Sequence, residues 1–587
     1  MTAKTIFCAA LLAATSWGQS YYGGVRGTVL DGTGKAIGDA KVTMVDEAGG
    51  AQRAAISTAE GFSFSQVVPA TYTVVAEAPG FKRFERKHVI VATQETVSLD
   101  LKMEIGSVSE SVQVTEEVPL VETSNASQGQ VLDRQQLVDL PNLGRNPFMM
   151  SKLAQNVTPV GDPHYNRMQD QSGSSQISIA GGPVRGNNYL LDGIPITDAA
   201  NRAIIIPTLE AVEQVKVQSN TYDAEMARTG GGMFNTYLKS GTNEWHGSLF
   251  GTMRQTSWAA NNFFNNAAGI PLPEQPNRTF GASFGGPVRI PKLYNGKNRT
   301  FFWLAWEGYQ DTQSNTSQFT TPTSLERIGD FSQSRTQSGA LNVIYDPRST
   351  VCAGGTCTRQ PYVGNVIPGD RLNPVGLAIA ATYVMPQTAS AFYGAPNLTQ
   401  AAPLASKASQ KTAKLDHEVT KWWRASLSYL RYYSLEPGNT WFATVSSPDQ
   451  WRLLRRVDTT QFNNILTISP TTILTVRYGF NRFPNYGYQV SQGFNLASLG
   501  FDPSYVAAIA SPTFPNITMT SQYSMGTNNN FYYVHHSKNF STGLSKFQGR
   551  HNLKGGFDHH SGRLRHVLGA AVRHRHAVQP SGLHRDL

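Results

Sequence analysis

Few residues are placed to do chemistry. Cys352 and Cys357 flank Ala-Gly-Gly-Thr within DPRSTVCAGGTCTRQPY, a stretch rich in turn formers. A metal centre needs more donors than this stretch supplies, and thiol redox catalysis usually separates its cysteines by two residues. In an oxidising compartment such a close pair is expected to close a small loop as a disulfide. Serines, histidines and aspartates are scattered without a nucleophile elbow, a zinc-type His-x-x-Glu pair or a glycine-rich phosphate loop. No catalytic residue, no metal ligand and no cofactor is therefore expected, and the chain does not read as an enzyme.

The elements that carry these residues are strands and turns. Of 587 residues, 53 are glycine, 10% are aromatic and only 15% are charged, the balance of a mainly β chain. Beyond the N-terminus no apolar run reaches the ~18 residues that a membrane helix needs, which leaves a barrel of weakly marked strands open. Residues 1–20, with Lys4 ahead of the apolar Ile6–Ala14 and small residues before Ser20, read as a secretory signal that would take Cys8 away. The formal charge of +10 suggests nucleic acid at first sight. Five arginines and one acid lie between Ser561 and Leu587, however, and the remaining excess is dilute, so nucleic-acid binding drops out.

Residues 21–103 carry short alternating segments, among them VRGTVLD, AKVTMVD, GFSFSQV, TYTVVAEA and TVSLDL, at the spacing of a β-sandwich. The run GTVLDGTGKAIGDAKV followed by TAEGFSFSQVVPATYTVVAEAPGF resembles the carboxypeptidase regulatory-like domain. That resemblance implies a transthyretin-like sandwich without peptidase chemistry, an accessory module for a glycan or a partner. A linker, residues 104–117, follows.

Residues 118–244 read as small and mixed α/β. VLDRQQLVDLP predicts a short helix with Asp133 as N-cap, Gln136 in the capping-box position, Leu137 and Leu140 on one side, and Pro141 as the stop. Asp192-Gly193 in NNYLLDGIPITD suits the positive φ of a two-residue type I′ hairpin turn. In sequence order, ISIAGGPVRGNN, YLLDGIPITD, IPTLEAVEQVKV and ARTGGGMFNTYLKSGTNEWHG resemble the plug domain of TonB-dependent outer-membrane receptors. The resemblance implies a plug filling a large barrel, with Gly230, Gly231 and Gly232 where the plug hands over to the first barrel strand. It also implies that a short extended segment ahead of the plug pairs with periplasmic TonB. Ser109, Glu110, Ser111, Val112, Gln113, Val114 and Thr115 are the candidate, since strand addition asks only for β-competent backbone.

Residues 245–560 are expected to form the barrel wall. In TTILTVRYGFNRF, Leu474, Val476, Tyr478 and Phe480 alternate with Thr475, Arg477, Gly479 and Asn481, as lipid-facing and lumen-facing positions must. In TFFWLAWEGYQ apolar residues fall on both faces, either as an interfacial girdle or as a plug-facing surface. A long loop is expected over about 312–410, and its cysteine pair and NVIPGDRLNPVG further resemble the Oar-like subgroup of these receptors.

Eight to ten strands can be placed, against the 22 of a plugged transporter, so the antiparallel transmembrane barrel is expected to be incomplete. Alternation fades after Phe557, and residues 561–587, with His566, His574, His576 and His584, read as the product of a frameshift or truncation. A metal-binding tail and a basic amphipathic segment remain as other readings of it. The fold expected is thus mainly β, made of sandwich, plug and partial barrel. The function implied by the resemblance is ligand-gated uptake across the cell outer membrane, driven by TonB and its inner-membrane energising complex. Outer-membrane lipid and an unknown small-molecule, glycan or peptide ligand are the other partners. A surface adhesion or carbohydrate-binding protein without transport is the alternative.

Overall fold

The computed structural model describes residues 22–568 apart from 94, 107–110, 115–127, 142–144, 161–175, 221–228, 268, 470, 528–529 and 549–550. The expected export signal lies outside the described residues, as do residues 569–587 of the tail. No described helix is long and apolar enough to cross a membrane.

The N-terminal strands are β1 (Gly23–Leu30), β2 (Lys41–Asp46), β3 (Gln52–Ile56), β4 (Phe62–Val67), β5 (Ala70–Glu77), β6 (Arg83–Val91), β7 (Thr96–Lys102) and β8 (Ser111–Val114). They form two sheets, in the order β4-β1-β7 and β3-β2-β5-β6-β8. Alternation drives the packing: along β7, Val97, Leu99 and Leu101 are buried while the residues between them are exposed, and Val25, Met44, Phe64 and Val74 complete the core.

The segment expected to be a plug, and called the plug below, contains β9 (Gln128–Leu132), α1 (Arg134–Asp139), β10 (Val157–Pro159), β11 (Ile177–Ile179), β12 (Asn188–Leu191), β13 (Ile194–Pro195), β14 (Val212–Asn220) and β15 (Met233–Leu238). Asp133 caps α1 by accepting from Gln136 N–H at 2.8 Å, and the reciprocal capping-box bond is also present. Leu137 is buried, whereas Leu140, expected beside it, is 40% exposed. The helix stops one residue earlier, because Leu140 precedes Pro141 and takes an extended conformation.

The plug sheet runs β13-β12-β15-β14-β9, with β12 and β15 parallel. This corrects the handover expected at Gly230–Gly232. The strand that follows them, β15, is buried along its whole length in the middle of the plug sheet, and the wall begins after it. A strand covered on both faces carries no alternation to separate plug from wall.

The wall is an antiparallel sheet of nine strands: β16 (His246–Arg254), β17 (Asn277–Pro287), β20 (Thr300–Phe319), β23 (Leu398–Thr420), β24 (Trp423–Pro437), β25 (Trp451–Ser469), β26 (Thr472–Gln489), β27 (Phe531–Gln548) and β28 (His551–Leu568). Two small hairpins, β18 (Arg289–Ile290) with β19 (Tyr294–Asn295) and β21 (Val351–Ala353) with β22 (Thr356–Thr358), lie between them. Short connections follow β23, β25 and β27 at one end of the sheet, and long ones follow β16, β20, β24 and β26 at the other, the asymmetry of an outer-membrane barrel. The first and last strands, β16 and β28, do not pair with each other among the described residues.

Two boundaries differ from expectation. The long loop spans 320–397 rather than 312–410, because Thr312–Phe319 pairs with Leu398–Ala405 as a hairpin stem. Likewise β28 continues beyond residue 560 to Leu568, in register with β27. Both extensions are held by backbone hydrogen bonds, which require no hydrophobic alternation.

Candidate functional site

The wall wraps the plug, and a single apolar core joins them. Leu191, Ile206, Val215 and Phe234 of the plug pack with Trp303, Ala305, Leu430, Tyr432 and Phe483 of the wall. TFFWLAWEGYQ is thereby resolved: Trp303 and Ala305 face the plug, while Leu304 and Trp306 face outward, 48% and 42% exposed.

The hairpin β12–β13 turns at Asp192 (φ 45°) and Gly193 (φ 80°), both positive as a type I′ turn requires. Its tip presses on the wall. Lys414 Nζ of β23 lies 3.2 Å from Asp192 Oδ2, and both side chains are almost fully buried. The other carboxylate oxygen accepts from Leu238 N–H at 2.9 Å, while Lys414 donates to Leu238 O at 2.9 Å and lies 4.3 Å from the centre of the Tyr237 ring. Burial pushes the Asp192 carboxyl above its ordinary value, and the Lys414 ammonium opposes that push. A buried pair of this kind is costly to break from one side, because the remaining charge stays desolvated.

Around this ion pair the wall reaches into the plug backbone. A Cβ at Gly479 would come within 2.4 Å of Ile194 Cγ2, so β26 is free of a side chain where the hairpin presses. Asn481 donates to Pro195 O at 3.0 Å, and Gln410 both donates to Ile206 O at 2.9 Å and accepts from Thr208 N–H at 2.6 Å. A second charged cluster sits at β16, β17 and β20. There Arg145 of the plug pairs with Glu210 at 2.9 Å and with wall Glu307 at 3.5 Å. Ser248 and Ser283 donate to Glu210, and the Arg145 guanidinium stacks 3.8 Å from the Phe250 ring centre.

The expected site residues do not form one site. Asp192-Gly193 and Gly230–Gly232 lie at opposite ends of the parallel pair β12–β15. Gly231 and Gly232 answer to close packing, since a Cβ on them would meet Asn187 Oδ1 at 2.4 Å and Ile179 Cδ1 at 2.5 Å. At Gly230 the nearest atom is 3.9 Å away, so packing does not demand glycine there. Cys352 and Cys357 are opposed across β21–β22 in the long loop and form a disulfide. Of the candidate TonB segment, Ser109, Glu110 and Thr115 lie outside the described residues, and Ser111–Val114 is β8, paired in parallel with Arg83–Arg86 of β6 at the edge of a sandwich sheet.

Beneath the plug the sandwich docks on the wall, with Gln66 donating to Ser545 at 3.0 Å and Asn243 N–H to Ala48 O at 3.0 Å. A cavity of about 680 Å³ remains between the three parts, lined by charges of both signs, among them Glu47, Glu213, Lys239, Arg299 and Asp416. Burial pushes the Glu213 carboxyl up, with Arg134 opposing.

Lys414, Gln410, Arg145, Glu210 and Glu307 were not anticipated. Alternation in β23 does mark Gln410, Thr412 and Lys414 as inward-facing, but it says nothing of what they meet.

Residues 24–104 match the carboxypeptidase regulatory-like domain family. Over 277 residues the chain is 24% identical to the TonB-dependent transporter Oar of Myxococcus xanthus, a match covering 46% of this chain and 26% of Oar. Among solved structures it aligns with the siderophore receptor PirA of Acinetobacter baumannii at 13% identity, over 73% of this chain and 47% of PirA, with a TM-score of 0.38. The ferric citrate transporter FecA aligns at 9% identity, over 75% of this chain and 57% of FecA, with a TM-score of 0.34. The chain thus spans about a quarter of the curated relative and about half of these receptors. Residues 237–571, more than half of the chain, match the outer membrane beta barrel domain, and the chain belongs to that family.

Proposed function

We propose that this chain acts as a TonB-dependent transporter of the outer membrane, in which the plug obstructs the lumen until it is pulled from the periplasmic side. The observation that carries this reading is the way the plug is seated. Wall side chains grip plug backbone and charges one hydrogen bond at a time, through Gln410, Lys414, Asn481 and Glu307. The hydrogen bonds among these contacts exchange for water at small net cost provided partners leave together, while the pull has to supply the cost of exposing the apolar core shared with the wall. Residues 109–115 supply the handle in this reading. A β-competent strand just ahead of the plug transmits force through main-chain bonds. The ligand, a small molecule, glycan or peptide, is met by the long connections at the far end of the wall.

The test uses the full chain in cells. Deleting residues 109–115 is expected to abolish co-purification of TonB, and to leave the chain in the outer-membrane fraction. Undiminished TonB capture after the deletion overturns the handle. An intact chain that never captures TonB yet promotes cell attachment decides for adhesion without transport.

A further inference from the structure

The outward face of the wall divides into two zones. Towards the short turns it is apolar: Leu415, Leu427, Phe462, Tyr478 and Phe540 form one row across neighbouring strands, each between 39% and 45% exposed. Towards the loops one row is basic, and beyond it Tyr486 and Tyr488 of β26 and Tyr532 of β27 cluster on the same face. Residues directly opposite one another share a face, and the pairings Lys411–Arg431, Arg431–Asp458, Asp458–Arg482, Arg482–His536 and His536–Arg563 trace one continuous outward row from β23 to β28.

Three features make this row more than a solvated stripe. First, its height is that of a membrane border. From Thr472 at the turn to Arg482, ten residues rise roughly 33 Å along a strand, and a tilt of about 45° converts this to the ~25 Å of a barrel's apolar band. Second, one of its arginines, Arg431, is held in place, together with Arg456 beside the row. Asp458 accepts from Arg431 Nε at 2.8 Å and Arg456 Nε at 2.7 Å, with Tyr429 OH on the same carboxylate at 2.7 Å. Third, it is under-neutralised. Among the described residues Lys411, Arg482 and Arg563 make no ion pair; Lys411 and Arg431 lie about one strand spacing, ~4.8 Å, apart, and Arg482 is two strands from both Arg431 and Arg563. Clustered cations beside an apolar band match a lipid with acyl chains below and an anionic headgroup above, and arginine forks suit phosphate oxygens.

We propose that this belt binds phosphate-bearing lipid headgroups in the loop-side leaflet. The inference rests on the wall being embedded in a membrane. Full-length chain is reconstituted into vesicles containing brominated phosphatidylcholine or brominated phosphatidylglycerol, and quenching of tryptophan fluorescence reports each lipid at the wall. Trp306, opposite Lys411, lies in the belt itself. A several-fold preference for phosphatidylglycerol is expected, weakened by salt and lost in Lys411→Gln/Arg431→Gln/Arg482→Gln. Lys411→Arg, and the sandwich variant Lys35→Gln/Lys41→Gln/Lys102→Gln, should both keep it. Equal quenching by the two lipids in the wild type, or a preference that survives the belt variant, overturns the belt alone. No quenching by either lipid overturns the embedded reading and the belt with it.

Discussion

The seat of the plug depends on a few side chains whose partners are distant in sequence. Asp192→Asn keeps the left-handed turn, since asparagine tolerates positive φ, but it removes the carboxylate charge 3.2 Å from the buried Lys414 ammonium. A loss of about 3–5 kcal/mol is expected from removing one partner of such a pair. Adding Lys414→Met should recover part of that loss, because the buried ammonium that had lost its carboxylate is then gone as well. Urea unfolding of the refolded full chain and of both single variants completes the cycle, and additive losses would deny the coupling. Gly479→Ala drives a methyl group into Ile194 and is expected to cost about 1–3 kcal/mol as overpacking. Ile194→Ala in the same chain should relieve it, read from the same midpoints. Asp192-Gly193 was legible as a turn because turn chemistry is local. Gly479 was legible only as one position of an alternating strand and Lys414 was not singled out, because nothing local names their partners.

At the level of elements, strands that show one face to lipid and one to the lumen announce themselves, as β26 does with Tyr478 and Phe480 outside and Arg477 and Asn481 inside. Strands in other settings do not. β15 is buried on both faces, and the β20–β23 stem beyond Thr312 needs only its backbone to pair, so neither shows the period-two signal that marks a wall strand. The long loop that this stem carries has its own organiser. Asp346 accepts from Arg348 N–H at 2.9 Å, pairs with Arg371 at 2.5 Å and takes a bond from Tyr362 OH at 3.3 Å. The Arg348 N–H bond, with Arg371 and Tyr362 beside it, holds this carboxyl below the usual carboxylate value. For a carboxyl depressed in the folded state, the stabilisation is complete above its unfolded value near 3.9 and is lost as pH falls through the folded value. The protection of residues 344–372 against hydrogen exchange, relative to the intrinsic rate at each pH, should therefore fall in acid below that range, and Asp346→Asn should be poorly protected at neutral pH with no further acid step. A wild-type loop equally protected at pH 7 and pH 2 would contradict this.

On the scale of the whole molecule, the sandwich is docked under the wall rather than strung beside it, through Gln66–Ser545 and Asn243–Ala48, with Asn243 itself braced from the wall side by its mutual bonds with Asn298. Each side-chain bond contributes about 1 kcal/mol net, so Gln66→Ala with Asn298→Ala should loosen docking without unfolding the sandwich. Limited proteolysis within residues 104–127 reads the difference. Unchanged cleavage with unchanged sandwich stability would show that these bonds do not hold the two parts together.

The order of sandwich, plug segment and wall strands, the β class of the chain and the hairpin at Asp192 followed from the sequence, because alternation and turn residues act over neighbouring positions. Only the tertiary structure decided that β15 lies in the middle of the plug sheet, parallel to β12, that Lys414 answers Asp192 across 222 residue steps, and that separate cations align into one outward row. Those facts depend on register and on which surfaces meet, and side chains become neighbours there through pairings that no short stretch of sequence encodes.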